Sequence, residues 1–333
     1  MKALSAAVSV ACAAAFIQGA MAQTPVSPVA LVDQFEATNG KFEGYRRSGA
    51  KGVCATGEFV ASEAARALST ATVFSGRPIP VGVRFSVGGA SPKAADNGKS
   101  QRNMALQFNL PDGEQWLMGN INAPVFGASS PKQMLDLVAS RQPDPTTKAA
   151  DPTKVKAFND ANPEVLLQGR HFASQPVPAS FAGVNYWGVH AHALVNSKGD
   201  KQWGKWIFEP TAGLLGLTDD EAKAKGPDFL FDELRTRVKD GKVAFNFNLE
   251  LAEAGDKLDS ATVPLPAGRK KVTLGVLKVT SASADATGPC LTVNYNPMVM
   301  PKGVEGSNDP MLAARAAPYA VSQGRRLTEG AKQ

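Results

Sequence analysis

Hydrophobic and polar residues alternate with a period of two along much of the chain, which is the pattern of β-strands with one buried face. The alternation runs through residues 81–86 and 104–110, and a Pro111–Gly113 turn then reverses the chain into 116–120. This succession predicts a β-hairpin. Further alternating stretches cover residues 184–196, 203–208, 243–251 and 272–276, and a turn at 197–200 joins the first two.

Segments with helical patterns lie between and around these strands. The first begins after Ser27 and ends at Gly40, and others are predicted at 62–70, 131–140, 152–169 and 218–240. A last helix begins near residue 309 and places Arg315 and Tyr319, four residues apart, on one face. Strands this numerous, with helices between them, predict an antiparallel barrel or sandwich with helices packed outside it.

The composition is that of a packed globular protein. Of the 333 residues, 43% are hydrophobic and 20% are charged, and this balance excludes general disorder. Outside the N-terminal segment, no apolar run in the sequence reaches the length of a membrane span. The net charge of +6 is scattered along the chain, so nucleic acid is not an expected partner.

The N-terminal segment has the three regions of a secretory signal peptide. Lys2 is followed by an apolar stretch over residues 3–17 and by the small-residue exit Ala20-Met21-Ala22. We therefore predict a signal peptide over residues 1–22, a single mature domain over 23–333 and a periplasmic location. An uncleaved membrane anchor is the alternative.

Export bears on the three cysteines. Cys12 leaves with the predicted signal peptide, so Cys54 and Cys290 remain in an oxidising compartment. Two states are open for this pair, because the sequence does not fix the distance between them: a disulfide or two free thiols.

The few histidines and cysteines do not form a zinc motif, since no CxxC or HExxH is present. His190 and His192 share one strand face, but packing inside the fold is the favoured interpretation. Three arginines in separate segments, Arg46, Arg84 and Arg326, offer different chemistry. A site lined by guanidinium groups and aromatic rings suits a flat apolar ligand that carries carboxylates.

Five segments of the sequence follow one another in the order found in the catalase core. They are Val83-Arg84-Phe85-Ser86, Arg102-Asn103-Met104-Ala105, Gly119 to Phe126, Asn185-Tyr186-Trp187-Gly188-Val189-His190, and Asp309-Pro310 with Arg315, Tyr319 and Arg326. The chain resembles the catalase superfamily over about residues 25–327, and in particular the short exported catalase-related peroxidases.

This resemblance implies an α+β fold in which an antiparallel β-barrel encloses b-type haem and helices pack outside. It implies that Tyr319 is the axial ligand of the haem iron, with Arg315 one helical turn away to favour the phenolate. Arg46, Arg84 and Arg326 correspond to the partners of the haem carboxylates, and Ser86 lies beside the cofactor. Asn122 corresponds to the distal asparagine that orients peroxide.

The sequence departs from the family pattern at two glycines and one proline. Gly49 stands where the family has its distal histidine, and the loss of such an acid–base group typically costs about 10²–10⁴-fold in rate. Gly127 replaces an aromatic residue, so we expect a roomier distal pocket. Pro318, directly before Tyr319, is expected to kink or tighten its helix.

The resemblance implies a haem-dependent peroxidase that takes part in the response to oxidative stress. Its partners would be hydrogen peroxide or an organic hydroperoxide and a small electron donor. The alternative is an exported haem-binding, storage or sensor protein without efficient turnover, which the missing histidine favours. A third hypothesis is a barrel that has lost haem and holds another apolar carboxylate.

Overall fold

The computed structural model describes residues 25–283 and 288–330, so the predicted signal peptide lies outside the described residues. The helices are α1 (Pro28–Asn39), α2 (Glu63–Leu68), α3 (Pro131–Ser140), α4 (Pro152–Ala161), α5 (Leu166–Ser174), α6 (Asp219–Ala224), α7 (Phe229–Lys239), α8 (Pro310–Ala314) and α9 (Ala316–Gly330). The strands are β1 (Gly52–Ala61), β2 (Ile79–Val87), β3 (Arg102–Asn109), β4 (Gln115–Ile121), β5 (Val177–Pro178), β6 (Tyr186–Trp187), β7 (His192–Val195), β8 (Lys201–Pro210), β9 (Gly216–Leu217), β10 (Ala244–Leu251), β11 (Lys271–Ala282) and β12 (Val304–Gly306).

Eight of the strands close into an antiparallel ring, which confirms the predicted α+β barrel. The order around the ring is β10, β11, β1, β2, β3, β4, β6 and β8, and β8 pairs again with β10. Strand β7 continues along β8 beyond β6, and β12 pairs with β7. Closure removes free sheet edges from the barrel wall.

The interior of the barrel is filled by apolar side chains from alternate strand positions. On β2 these are Val81, Val83 and Phe85, and on β3 they include Met104 and Phe108, all fully or almost fully buried. Phenylalanine and tryptophan rings pack edge to face or stacked across this interior, as between Phe208 and Phe247, whose centroids lie 4.3 Å apart. The interior therefore has no room for a large ligand.

Helices cover the outer face of the barrel wall. Helices α1, α3 and α8 share a small apolar cluster, in which Leu31, Met134 and Met311 are buried, and α9 packs on α1. The Ser27 hydroxyl caps α1, and its C-terminal Gly40 adopts a positive φ, as the sequence predicts. This helical layer leaves a cavity between itself and the outer face of β2, β3 and β4.

The predicted helices and strands differ from the structure in their breaks. The predicted helix 152–169 is two helices separated at Asn162-Pro163, and the predicted helix 218–240 is interrupted at Gly226-Pro227. Proline explains both, because it lacks the N–H that the helix needs. The predicted strand 184–196 is divided into β6 and β7, and the sequence interpretation missed β1.

None of the helices within residues 25–283 and 288–330 is long and apolar enough to cross a membrane.

Candidate functional site

A cavity of about 270 Å³ lies between the outer face of the barrel and the helices. Seven of the eight predicted site residues line it: Arg46, Gly49, Arg84, Ser86, Arg315, Tyr319 and Arg326. Strand periodicity explains the position. On β2 the even-numbered Arg84 and Ser86 face the cavity, while Val83 and Phe85 face the barrel core. The expectation that the barrel itself encloses the ligand is therefore corrected: the site lies against its outer wall.

Tyr319 and Arg315 meet at one wall of this cavity. Helix α8 ends at Ala314 and α9 begins at Ala316, so the helix is interrupted at Arg315, three residues before Pro318. The backbone N–H of Tyr319 still bonds the carbonyl of Arg315, and the Arg315 guanidinium donates to the Tyr319 hydroxyl from Nη2 at 2.6 Å and from Nε at 3.1 Å. Two cationic donors at one phenol oxygen stabilise negative charge on it.

A buried hydrogen-bond chain fixes Arg315 from behind. The Arg315 Nη1 lies 3.0 Å from His190 Nε2, and His190 Nδ1 lies 2.8 Å from Asp309 Oδ2. Because arginine only donates, His190 accepts at Nε2 and donates from Nδ1 to the carboxylate. Strand periodicity predicts only packing for His190. It cannot show the link to Arg315, because the two residues are 125 positions apart in the sequence.

The charges in this chain suit that tautomer. Burial lowers the pKa of His190 to about 4, and Arg315 adds to the effect against the opposing hydrogen bond with Asp309. Burial alone would raise the pKa of Asp309, but the bonds from His190 and from the Met311 N–H hold it below its ordinary value. His190 is thus neutral and Asp309 ionised near neutral pH.

The three predicted arginines converge at another part of the cavity. Arg46 donates to the carbonyls of Cys290 and Val293, both at 2.9 Å, while Arg84 donates to Ala50. Arg326 donates to the carbonyl of Leu291. These contacts use only part of each guanidinium group. In this part of the cavity, Arg46 Nε, Arg84 Nε, Arg326 Nη2 and the neighbouring Tyr295 Oη are buried and have no partner among the described residues.

The cluster of Arg46, Arg84 and Arg326 carries uncompensated positive charge. Within the described part of the chain, none of the three forms an ion pair with a carboxylate. Burial lowers the pKa of each to about 10, and repulsion from another member of the cluster acts in the same direction. Buried charges are normally paired, so this cluster is built for an anionic group of a ligand.

A disulfide lies beside the arginine cluster and settles the state of the cysteine pair. Cys54 on β1 and Cys290 are bonded, with their Cα atoms 5.4 Å apart. Cys290 belongs to the 3₁₀ turn Pro289–Leu291, and carbonyls of this turn accept from Arg46 and Arg326. The disulfide therefore ties the barrel wall to the segment that orients two of the three arginines.

Gly49 lies at the cavity, but the space beside it is occupied. Its φ is +63°, a conformation that favours glycine, and a Cβ built there would lie 3.0 Å from Ser86 Oγ and 3.4 Å from Asn103 Nδ2. Gly127 does not line the cavity, and the Gln168 side chain lies 3.1 Å from the place of its Cβ. Polar side chains thus lie directly beside both glycines, and the expectation of a roomier distal pocket stays a prediction.

Asn122 is the predicted site residue that the structure does not bring to this cavity. Asn122 directly follows β4 and its backbone N–H still bonds the Arg102 carbonyl, so the strand alternation places it on the face opposite to Ile121, which lines the cavity. Its Oδ1 accepts from the backbone N–H of Arg102 at 2.7 Å, and it lines a separate cavity of about 80 Å³ together with His171. The structure therefore does not bring Asn122 to the cavity that holds the other seven residues, and its distal role stays a prediction.

The two remaining histidines of the sequence, His171 and His192, do not line the main cavity either. His171 contacts the carbonyl of Asn122, and His192 stacks on Trp206 with ring centroids 3.8 Å apart. The side chains nearest to the place of the Gly49 Cβ are Ser86, Asn103 and Arg84, and Gln101 lines the same cavity. Asn103 and Gln101 were not among the predicted site residues. Their position two residues apart on one strand face was the signal that could have found them.

Comparisons with known proteins show what the chain is similar to. The model of the catalase family matches residues 17–333. The chain is 39% identical to a catalase-related peroxidase of Synechococcus elongatus over 305 residues, which are 92% of this chain and 90% of that protein. It is 32% identical to a catalase-related peroxidase of Mycolicibacterium paratuberculosis over 301 residues, 89% and 94% of the two chains.

Among solved structures, the fold is similar to catalase A from Saccharomyces cerevisiae, with a TM-score of 0.77 at 21% sequence identity. The match covers 87% of this chain and 62% of the yeast chain. At this identity the likeness shows the shared fold alone.

Proposed function

This chain belongs to the catalase family, and we propose that it is a haem-dependent peroxidase that reduces hydrogen peroxide or organic hydroperoxides at the expense of a small electron donor. One observation carries the proposal. A single cavity holds the arginine cluster, in which Arg84 and Arg326 are buried, Arg46 is half-buried and none pairs with a carboxylate of the described residues. The same cavity holds the Tyr319 oxygen, which is bound by a fourth arginine, Arg315. These are the groups that a haem with two carboxylates and a tyrosine-ligated iron requires.

The residues present fit b-type haem. The unpartnered nitrogens of Arg46, Arg84 and Arg326 match carboxylates, because guanidinium groups bind them through paired N–H donors. Tyr319 offers the iron ligand, with its charge stabilised by Arg315 and, through it, by His190. Bound haem supplies an iron centre that exchanges electrons with the peroxide.

The protein residues then determine how peroxide is bound. Reduction breaks the O–O bond, and the hydroperoxide takes two electrons from the donor and two protons from solvent to give an alcohol and water. Gly49 provides no proton acceptor, and the side chains nearest to it are the Ser86 hydroxyl, the Asn103 amide and the Arg84 guanidinium. We therefore expect slower peroxide cleavage than a distal histidine would support, and little dismutation of hydrogen peroxide.

A second function is favoured by the same feature. Because Ser86, Gln101 and Asn103 do not accept protons near neutral pH, the site also suits a protein that binds haem for storage, transfer or sensing. The arginine cluster and Tyr319 would serve both functions.

The proposed setting is the periplasm and the response to oxidative stress. The leader-like residues 1–22 and the Cys54–Cys290 disulfide support an exported protein, since disulfides persist in oxidising compartments.

A donor-oxidation assay separates the two functions. The haem-loaded protein is mixed with hydrogen peroxide or cumene hydroperoxide and a phenolic donor, and oxidation of the donor is followed by absorbance. Turnover that depends on bound haem and is lost in Tyr319→Phe is the expected result. Stoichiometric haem binding without turnover would reject the peroxidase and leave the storage or sensor function.

A further inference from the structure

We propose that Gln101, Asn103 and Ser86 form a one-way chain of hydrogen-bond donors whose last member, the Ser86 hydroxyl, binds the oxygen of a hydroperoxide or an anion in the main cavity. The inference rests on the proposed function and specifies what the site recognises. In place of a group that exchanges protons, the chain presents a fixed donor. Such a site favours ligands that accept hydrogen bonds, and among peroxides those that lose their own proton readily, as peroxycarboxylic acids do.

The barrel wall brings the three side chains together. Ser86 on β2 is paired directly with Asn103 on β3, so their side chains stand side by side on the cavity face. Gln101 precedes Asn103 by two residues and lines the same cavity. A Cβ at Gly88 would lie 2.9 Å from the Gln101 Cβ, so glycine at that position gives Gln101 its room.

The direction of the chain follows from its contacts. Gln101 Nε2 donates to Asn103 Oδ1 at 2.5 Å, and Asn103 Nδ2 donates to Ser86 Oγ at 3.1 Å. The backbone carbonyl of Ser86 lies 3.5 Å from the same Nδ2. Because a carbonyl can only accept, the amide nitrogen must face this side. The Asn103 carbonyl oxygen is thus occupied by the donor from Gln101, and the Ser86 oxygen by the donor from Asn103.

The Ser86 hydroxyl consequently has its proton to offer. Its oxygen accepts from Asn103, and within residues 25–283 and 288–330 the structure gives the hydroxyl no other partner. Ser86 is only 2% exposed and lines the main cavity, so this donor is buried and directed to a ligand there. Gly49 places no side chain between the hydroxyl and the cavity.

Fluoride binding to the ferric haem-loaded protein tests the donor directly, because fluoride accepts hydrogen bonds and its binding is followed by absorbance without turnover. We expect Ser86→Ala to weaken fluoride binding at least about tenfold, the effect of losing a hydrogen bond to a charged group. Asn103→Leu keeps the hydroxyl but removes the amide that occupies its oxygen, so it should weaken fluoride binding by a smaller factor. Asn109→Leu, an exposed asparagine on the same strand, is the matched control and should leave the affinity unchanged.

Asn103→Asp reverses the chain, since a carboxylate accepts the Ser86 proton instead of donating to its oxygen. Fluoride binding should fall at least tenfold, while the rate of reaction with hydrogen peroxide should rise about tenfold or more, because the site gains a proton acceptor. A structural defect alone would lower both quantities.

Two results would overturn the inference: Asn103→Leu with wild-type fluoride affinity, or Asn103→Asp with both quantities reduced. Failure of the wild-type protein to bind haem would instead reject the proposed function, so the two failures are distinguishable.

Discussion

Arg46, Arg84 and Arg326 are three positively charged side chains that share one cavity. The described residues that line this cavity include no carboxylate. Stability of the protein alone gives no reason to bury them. They make sense if a ligand provides the missing negative charge, so stability without ligand and affinity for ligand should change in opposite directions when one of them is removed.

Arg326→Met tests this opposition. Relief of like-charge repulsion and burial should raise the free energy of unfolding of the haem-free protein by about 1–3 kcal/mol. Haem affinity should fall at least about tenfold, because a charge-assisted bond is lost. Urea unfolding and haemin titration measure the two quantities.

Arg102→Met is the matched control for this variant. Arg102 is fully buried too, but it lies outside the main cavity and donates to the carbonyls of Asp96, Gly98 and Ser100. Its loss should destabilise the protein by about 3 kcal/mol, since the buried carbonyl of Asp96 and the half-buried carbonyls of Gly98 and Ser100 lose their partner. A destabilised Arg326→Met protein with normal haem affinity would contradict the interpretation of the cluster.

His190 gives a prediction about pH. Its pKa is about 4 in the folded protein against the ordinary 6.5, so the folded state binds fewer protons. The stability that this group contributes is complete above pH 6.5 and is lost as the pH falls towards 4, by about 3 kcal/mol in total. Between pH 7 and 4, the free energy of unfolding of His190→Gln, measured in urea, should therefore fall less than that of the wild type. The difference from the wild type should be smaller for His171→Gln, because His171 is only half-buried.

Gly49 gives a prediction about restoring the histidine of the family. Its positive φ and the contact with Ser86 mean that Gly49→Ala should cost about 1–2 kcal/mol. Gly49→His should be destabilised at least as much and gain no large increase in peroxide turnover. Gly44→Ala, with φ +75° and no atom nearer than 3.8 Å to the new Cβ, isolates the backbone cost. Equal losses for Gly44→Ala and Gly49→Ala would show that the space beside Gly49 is free.

At the scale of elements, the sequence predicts the strands better than it predicts which face of the barrel wall borders the ligand cavity. The β2–β3–β4 alternation is clear because one face of each strand packs in the barrel core, and the structure confirms it. The same alternation already implies that Arg84 and Ser86 face away from that core, although the resemblance suggested a ligand inside the barrel. Which side of a barrel wall is filled depends on side chains from distant strands, and local periodicity does not contain that information.

The breaks between elements show the same limit. Pro163 and Pro227 could have been used to divide the predicted helices, because both are visible in the sequence and proline lacks the backbone N–H that a helix needs. Asn122 is different: it directly follows β4, stays paired with Arg102 and directs its side chain to the Arg102 backbone. Motif order does not show on which face of the strand the asparagine lies, so it could not predict that Asn122 lies outside the main cavity.

At the scale of the whole molecule, one covalent link joins residues far apart in the sequence. The Cys54–Cys290 disulfide spans 236 residues and ties β1 to the turn whose carbonyls hold Arg46 and Arg326. Chain entropy sets an upper value of about 5 kcal/mol for such a link, and measured disulfides more often contribute about 2–4 kcal/mol.

Reduction of this disulfide should therefore lower the stability of the protein and weaken haem binding together. Urea unfolding and haemin titration with and without reductant measure both, and the double variant Cys54→Ala, Cys290→Ala should show both losses and no response to reductant. Haem affinity that is unchanged on reduction, with stability lowered, would show that the disulfide does not help to orient the arginines.

The central claim is that the outer cavity binds haem through Tyr319. The most direct measurement is a titration of residues 23–333 with haemin, followed by the visible absorption spectrum. Wild type, Tyr319→Phe and the exposed control Tyr45→Phe are compared. We predict saturable binding with a ferric tyrosinate spectrum in the wild type and in Tyr45→Phe, and loss or alteration of that spectrum in Tyr319→Phe. A flat titration of the wild type, or a spectrum identical in all three proteins, would contradict the claim.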